Sequence, residues 1–379
     1  MNLAPKLLTA AVLAALSTPA LAEITIDVIG GSEVSFEGLV QMDYNDFDSD
    51  VQRLNGDFLD GSDADNELRR AEIVLKGKGP GMFNWVVGYD AKADKFLDTN
   101  VSYRFSGVTT LTVGQYKQPN SLEELSSTRH NDFISKAMVT NTFGVARRTG
   151  VQLATGGDTW TLTGSAFGRE LTRNLAHGSG YGARFTWAPI IETDNFLHLG
   201  LSAMDYDTDG DILRIRTRPQ ADLAAQRLVD TTNITRADRQ QTLGVEGAWV
   251  NGPVKLQSEF MQSTVQRYAG QPDFTGSSWY VSGLWNVTGE SWTYAKGMVS
   301  TMLPNEPATG MWQLGLRYDS IDLDDSGILG GEMDSWTAGV NWYWRSNYKF
   351  SVNYVAVQSD RRGISDNPNI LEARAQFYW

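Results

Sequence analysis

The last stretch of the chain, LEARAQFYW, constrains the fold most. From Leu371 the odd positions carry Leu, Ala, Ala, Phe and Trp, and the even positions carry Glu372, Arg374, Gln376 and Tyr378. This is the period of a β-strand, whose successive side chains point to opposite faces. The alternation runs up to Trp379. At the edge of a soluble sheet such a strand would fray and offer unpaired backbone groups to any neighbour. A closed barrel has no edge, and aromatics at a strand end suit the boundary between hydrocarbon and water.

The same period recurs along the chain. It is present in ELRRAEIVLKGK (67–78), LTVGQYK (111–117), YGARFTW (181–187), NFLHLGLSAMDY (195–206), VKLQSEFMQSTVQR (254–267), SSWYVSGLWNV (277–287) and SWTAGVNWYW (335–344). Turn signals such as KGPG at 78–81 and VNGP at 250–253 separate such runs. After the first residues no stretch is long and apolar enough to cross a bilayer as a helix. The pattern predicts an all-β chain, a transmembrane antiparallel β-barrel. Sixteen strands suit the chain length best, since single-chain barrels carry an even number. A secreted β-sandwich or β-helix explains the alternation less well, because it leaves the aromatic strand ends without a role. No internal repeat, linker or second domain is visible.

The opening MNLAPKLLTAAVLAALSTPALA has one early charge, Lys6, an apolar run and a small-residue Ala20-Leu21-Ala22 site. That is a signal-peptide pattern. It predicts residues 1–22 as a leader cleaved near Ala22 and 23–379 as a single barrel domain. The chain has no cysteine, which excludes thiolate metal sites, thiol nucleophiles and disulfides.

The charge is acidic, 32 Lys and Arg against 45 Asp and Glu. Residues 43–65 hold eight Asp and residues 319–334 six acids, and both read as loops. Residues 118–147 read as a long polar connection. Residues 212–239 reverse the balance, with six Arg against three Asp. Within them LRIRTRP places Arg214, Arg216 and Arg218 at every second position. In an extended segment the three share a face, with rungs roughly 6.5 Å apart. Water and salt could screen such a ladder at a solvated loop edge. Inside a pore, anions in transit would do so.

The chain resembles the phosphate-selective porins of the O and P type. The resemblance is carried by ELRRAEI, LTVGQYKQPNSLEEL, RIRTRP, GLWNVTGESW, LGLRYDSIDL, GVNWYWRSNYKFSVNYV and the terminal FYW, in order and spacing. It implies a homotrimeric barrel in the outer membrane of a Gram-negative bacterium, in contact with lipid and lipopolysaccharide. Its loops would fold inward, and it would pass inorganic phosphate or related anions. It further implies that Arg214, Arg216 and Arg218 form the ladder, with Arg227 beside them lining the pore. Arg69 and Arg70 would be constriction arginines and Lys117 the constriction lysine. No cofactor and no nucleic-acid partner is expected. In one place the chain departs from the family: after SLEELSS the family carries an acidic, Arg-containing segment, and here the sequence reads FISKAMV. This predicts an inward loop that shapes the pore differently.

Other readings fit less well. An outer-membrane hydrolase needs a His near a nucleophile or acid. The chain has only His130, His177 and His198, the first two in loops and the third in an alternating strand, and no Gly-x-Ser-x-Gly. DYDTDG at 205–210 begins like a calcium loop, but Arg216 stands where the bidentate Glu belongs. A general or cation-selective diffusion pore of the same fold remains the main alternative, followed by a structural or surface-binding barrel whose acidic loops bridge divalent cations.

Overall fold

The computed structural model describes residues 24–29, 31–57, 61–172 and 178–379. Numbering the barrel strands alone, they are β1 (Ser32–Asp48), β2 (Ala64–Lys78), β3 (Phe83–Asp90), β4 (Lys95–Arg104), β5 (Thr110–Lys117), β6 (Arg147–Gly156), β7 (Trp160–Phe167) and β8 (Gly180–Ile191). The second half comprises β9 (Asn195–Asp207), β10 (Ala237–Asn251), β11 (Val254–Arg267), β12 (Phe274–Asn286), β13 (Met311–Asp325), β14 (Ile328–Trp344), β15 (Tyr348–Arg361) and β16 (Asn369–Tyr378). Each pairs antiparallel with the next, and β16 pairs with β1 from Leu39↔Tyr378 to Asp48↔Asn369, which closes a 16-strand barrel. Ile24–Ile29 pairs with the start of β1, taking over its edge where β16 ends.

Closure satisfies every strand edge, and alternation sorts the two faces. Outward positions are apolar: Leu243 and Val245 of β10 are 62 % and 53 % exposed. Their inward neighbours Gln240, Thr242 and Glu246 are buried. A continuous apolar exterior over a polar interior is stable only with hydrocarbon outside, so the strands span a membrane. Among the described residues no helix is long and apolar enough to cross one.

Turns alternate by length. One end carries short connections such as 252–253 and 345–347, and the other carries the long ones, 118–146 and 208–236 among them. The long pair folds back into the barrel. Residues 118–146 contain α1 (Leu122–Leu125) and α2 (Met138–Phe143). Met138, Val139 and Phe143 pack with Ile215, Leu223, Leu228 and Ile234 of the 208–236 loop against inward residues of β11–β16. This fills one side of the barrel. The inward side chains of β2–β7 are mostly only half-buried, including Arg70, Glu72, Asn100 and Thr163. The open lumen is therefore eccentric, bounded by β2–β7 and the two loops.

Of the two acidic segments, 43–65 is a loop over 49–63, while 319–334 is almost all strand. Residues 43–48 continue β1, and 319–334 are the ends of β13 and β14 around a two-residue turn. Strands continue past the membrane at the long-loop end, so acids can alternate outward into water without breaking the ladder. Asp43 and Asp319 of these segments instead face inward and are buried. Residues 118–147, which read as a polar connection, hold two short helices and a buried apolar face.

Candidate functional site

The loop 118–146 is fixed by cations on the barrel wall. Lys255 lies 2.6 Å from the Asp132 carboxylate. Arg317 donates to the Ser135 carbonyl at 3.1 Å, and Arg374 to the Ile134 carbonyl at 3.0 Å. Lys349 donates to the Asn131 carbonyl. At the other end Glu259 accepts the backbone N–H groups of Leu122 (3.0 Å) and Glu123 (2.8 Å), satisfying donors that a helix start leaves open. Phe133 of FISKAMV lies under the Arg317 guanidinium at 4.6 Å, and Lys136 pairs with Glu124. Burial pushes the Glu124 carboxyl up, but Lys136 and Lys117 outweigh it and bring it down to about 2. The substituted segment is thus a docked belt across the lumen.

Arg374 also grips Asp43 through two contacts of 2.6 Å. Removing one partner of a buried pair leaves the other charge uncompensated, at a cost of roughly 3–5 kcal/mol. Arg374→Ala is therefore expected to loosen the belt, raising open-channel current noise and lowering the temperature at which the barrel unfolds in SDS. Quiet wild-type currents in that variant would show that the belt is held elsewhere.

A second inward segment comes from the short-turn end. Between β12 and β13 the hairpin Trp292–Ala295/Met298–Thr301 enters the lumen. Its tip is held by Arg184, which donates to the Gly297 carbonyl at 2.9 Å. Tyr294 meets His198 at 2.9 Å, and His198 meets Glu246 at 3.0 Å. Trp292 is buried against α1 beside Val299. The sequence reading gave this segment no role. Its signal is Trp292 and Tyr294 on alternate positions of a short run that ends in Lys296-Gly297, both at positive φ as a tight hairpin turn requires.

The arginines fall into two groups. Arg69 and Arg70 are adjacent, and in a regular strand they would face opposite ways. Here Gln41 pairs with Arg70 and Met42 with Leu68, so Arg69 is the extra residue of a β-bulge. Both reach inward: Arg69 donates to Asp222 of the 208–236 loop at 3.0 and 3.3 Å, and Arg70 to Glu72 at 3.2 Å. In the loop Ile215 and Thr217 are buried while Arg214 and Arg216 are exposed and Arg218 half-exposed. The period-2 spacing thus holds on an inward loop, not on a barrel strand. Arg214 is taken up by Asp230, with Nε 2.8 Å from Oδ1. Arg218 donates Nε to the Ala224 carbonyl at 2.6 Å. Among the described residues neither Arg216, Arg218 nor Arg227 has a carboxylate ion-pair partner. Burial and then the neighbouring Arg218 and Arg216 bring the Arg227 guanidinium down to about 10. Burial lowers Arg218 as well, and Arg69 and Arg216 add to this against Asp222. Arg69, Arg216, Arg218 and Arg227 therefore form one basic cluster with Asp222 and, at 3.9 Å from Arg69, Glu67 as its counter-charges.

Toward the short-turn end most charges are paired. A cavity of about 460 Å³ lies between the belt, the hairpin and β1–β6. On its wall Glu37 pairs with Lys76 (2.5 Å) and Arg129 (2.9 Å), and Asp98 with Arg147 (3.0 Å). Lys117 closes β5 there, its ammonium donating to the carbonyls of Glu124 (2.5 Å) and Ser126 (3.0 Å). It adds positive charge to the wall while tethering the belt.

The residues behind the other readings have structural partners. The His130 ring packs against Tyr343 and Tyr378, and burial, then Lys349 and Arg129, bring it down to about 3. Asp205 is bonded by Arg239 (2.6 Å) and Gln241 (3.1 Å). His177 and the leader 1–22 lie outside the described residues.

Comparison with known proteins agrees with this architecture. An uncharacterised protein of Caulobacter vibrioides is 30% identical over 314 residues, 76% of this chain and 62% of that protein. The chain thus spans less than two thirds of that relative's length. Porin O of Pseudomonas aeruginosa is 23% identical over 394 residues, 90% of this chain and 88% of its own. The crystal structure of the outer-membrane channel DcaP of Acinetobacter baumannii superposes with a TM-score of 0.60 at 14% identity, covering 95% of this chain and all of that one. The profile of phosphate-selective porin O and P matches residues 37–379. With a closed membrane-spanning barrel, an eccentric lumen and inward loops already in place, this outer-membrane channel belongs to the phosphate-selective porin O and P family.

Proposed function

We propose that the protein is an anion-selective pore for phosphate or polyphosphate, in which Arg216, Arg218 and Arg227 capture anions and Arg69 and Arg70 hold them at the narrowing. The observation that carries this reading is the basic cluster at the inward loop, four guanidinium groups against the Asp222 and Glu67 carboxylates, in a chain of net charge −13. An anion entering a narrow passage loses water and needs replacement donors. Guanidinium groups offer paired N–H donors that match phosphate oxygens. Conduction also requires that no single site be too deep, and neighbouring moderate sites meet that need. Arg214, neutralised by Asp230, stands at the outer end of the ladder, and Lys117 contributes charge beyond the narrowing. In this reading the leader 1–22 is removed on export and residues 23–379 form the single barrel domain, which assembles as a homotrimer surrounded by lipid and lipopolysaccharide.

A general diffusion pore is the competing reading, and one observation favours it: the lower cavity is walled by ion pairs. The two differ in one result. Added phosphate is expected to reduce single-channel chloride current in a saturable way at millimolar concentration. Chloride current unaffected by phosphate would favour the general pore.

A further inference from the structure

The Asp222 carboxylate lies against the Arg69 guanidinium, with Glu67 farther off at 3.9 Å. Its Oδ2 accepts from Nε and Nη2 of Arg69 at 3.3 and 3.0 Å, as a phosphate oxygen would. Burial pushes this carboxyl up, but Arg69, Arg374 and Arg70 outweigh it and hold it below the usual range, so it is charged at neutral pH. The pair is not sealed: the side chains of Arg69 and Asp222 keep 28 % and 22 % of their surface accessible. Nor is the pair what seats the loop. Ala221, Leu223 and Ala224 on either side of Asp222 are buried in the apolar cluster that fills the barrel, so the carboxylate is carried by an independently anchored segment. Beside it stand Arg216, Arg218 and Arg227 with no carboxylate ion pair of their own among the described residues.

We propose that Asp222 tunes the affinity of the pore for anions, as a tethered counter-anion that holds Arg69 in the empty channel and must be displaced by the permeating anion. This rests on the anion-pore reading above. A tethered competitor sets a threshold. Chloride brings one charge and no hydrogen-bonding geometry, so it gains little by replacing a carboxylate already in contact. A phosphate dianion brings more charge and several oxygens, and can engage Arg69 and Arg218 together. The competitor therefore lowers the apparent affinity for both anions, leaves phosphate bound where chloride is not, and keeps the site shallow enough to release what it binds.

The exchange is modest in size. Partly exposed ion pairs are weak, so removing the competitor is expected to strengthen anion binding by up to about fivefold. The experiment is single-channel recording in planar bilayers of the wild-type protein, Asp222→Asn and Asp222→Glu, each first shown to migrate as a folded, heat-modifiable barrel. The wild type is expected to be anion-selective and blocked by inorganic phosphate. D222N is expected to carry more chloride current at low salt and to be half-blocked at several-fold lower phosphate. Its gain should be at least as large for phosphate as for chloride, since a like charge repels the dianion more. D222E, which keeps the charge, should stay near wild type. If the wild type is anion-selective and phosphate-blocked but D222N matches it or binds phosphate more weakly, the counter-anion role is wrong and the pore reading stands. If the wild type itself is not anion-selective, both fall.

Discussion

Replacing Arg216, Arg218 and Arg227 together with alanine is expected to abolish the preference for anions. These three guanidinium groups have no carboxylate ion-pair partner among the described residues, and without them the cluster reduces to Arg69 between Asp222 and Glu67, which more than offset it. The loop should stay in place, because Ile215, Thr217, Leu223 and Leu228 seat it through buried side chains. Fixed charge in a low-dielectric passage raises local anion concentration and entry rate by a factor of ten or more. Anion conductance should therefore fall about tenfold at ~10 mM salt, where the Debye length is ~30 Å. The deficit should shrink toward ~1 M salt, where it is ~3 Å. Replacing Arg214 and Asp230 together with alanine should change little, since the two charges already cancel. Anion conductance like wild type at every concentration in the triple variant would make the ladder an ordinary loop edge.

Deleting Phe377–Trp379 is expected to prevent the barrel from forming. The seam between the first and last strands depends on these residues. Trp379 exchanges both backbone hydrogen bonds with Gly38, at 3.2 Å each. Tyr378 donates its N–H to the Asn347 carbonyl at 2.8 Å and accepts from the Asn347 side chain at 2.7 Å. The Trp379 ring lies over Gly38, where any Cβ would come within 2.0 Å of it. Phe377 packs on Tyr348 and Trp379 on Phe36, which continues the aromatic surface across the seam. Each backbone group left open in hydrocarbon costs several kcal/mol, and the deletion opens a row of them. The truncated chain should give no SDS-resistant, heat-modifiable form and should not accumulate in outer membranes. Normal levels of such a form would mean that the terminus is dispensable for closure.

These expectations draw unequally on sequence and structure. Strand period was legible throughout because one face meets lipid and the other polar lumen, so β10–β12 announce themselves residue by residue. The shared face of Arg214, Arg216 and Arg218 was legible for the same reason. That the first of them is neutralised was not, because Asp230 lies across a hairpin whose register the local sequence does not fix. The acidic run 319–334 misled, because composition suggested a loop where two strands continue, whereas 49–63 is the loop its acids suggested. Arg69 and Arg70 share the lumen only through a bulge, which depends on the pairing with β1. The wall cations Lys255, Arg317, Lys349 and Arg374 lie at strand-period positions and look like any lumen residue. Their role appears only once the belt they hold is in place. The inward hairpin after β12 was missed because its hydrophobic pattern is too short to separate from a turn.

The central claim is that fixed guanidinium charge on an inward loop makes this acidic barrel an anion pore. The sign of the zero-current potential across a planar bilayer under a KCl gradient tests it most directly. The account predicts a potential on the chloride side of zero, growing as the overall salt concentration is lowered. A potential at zero, or on the potassium side, would contradict it.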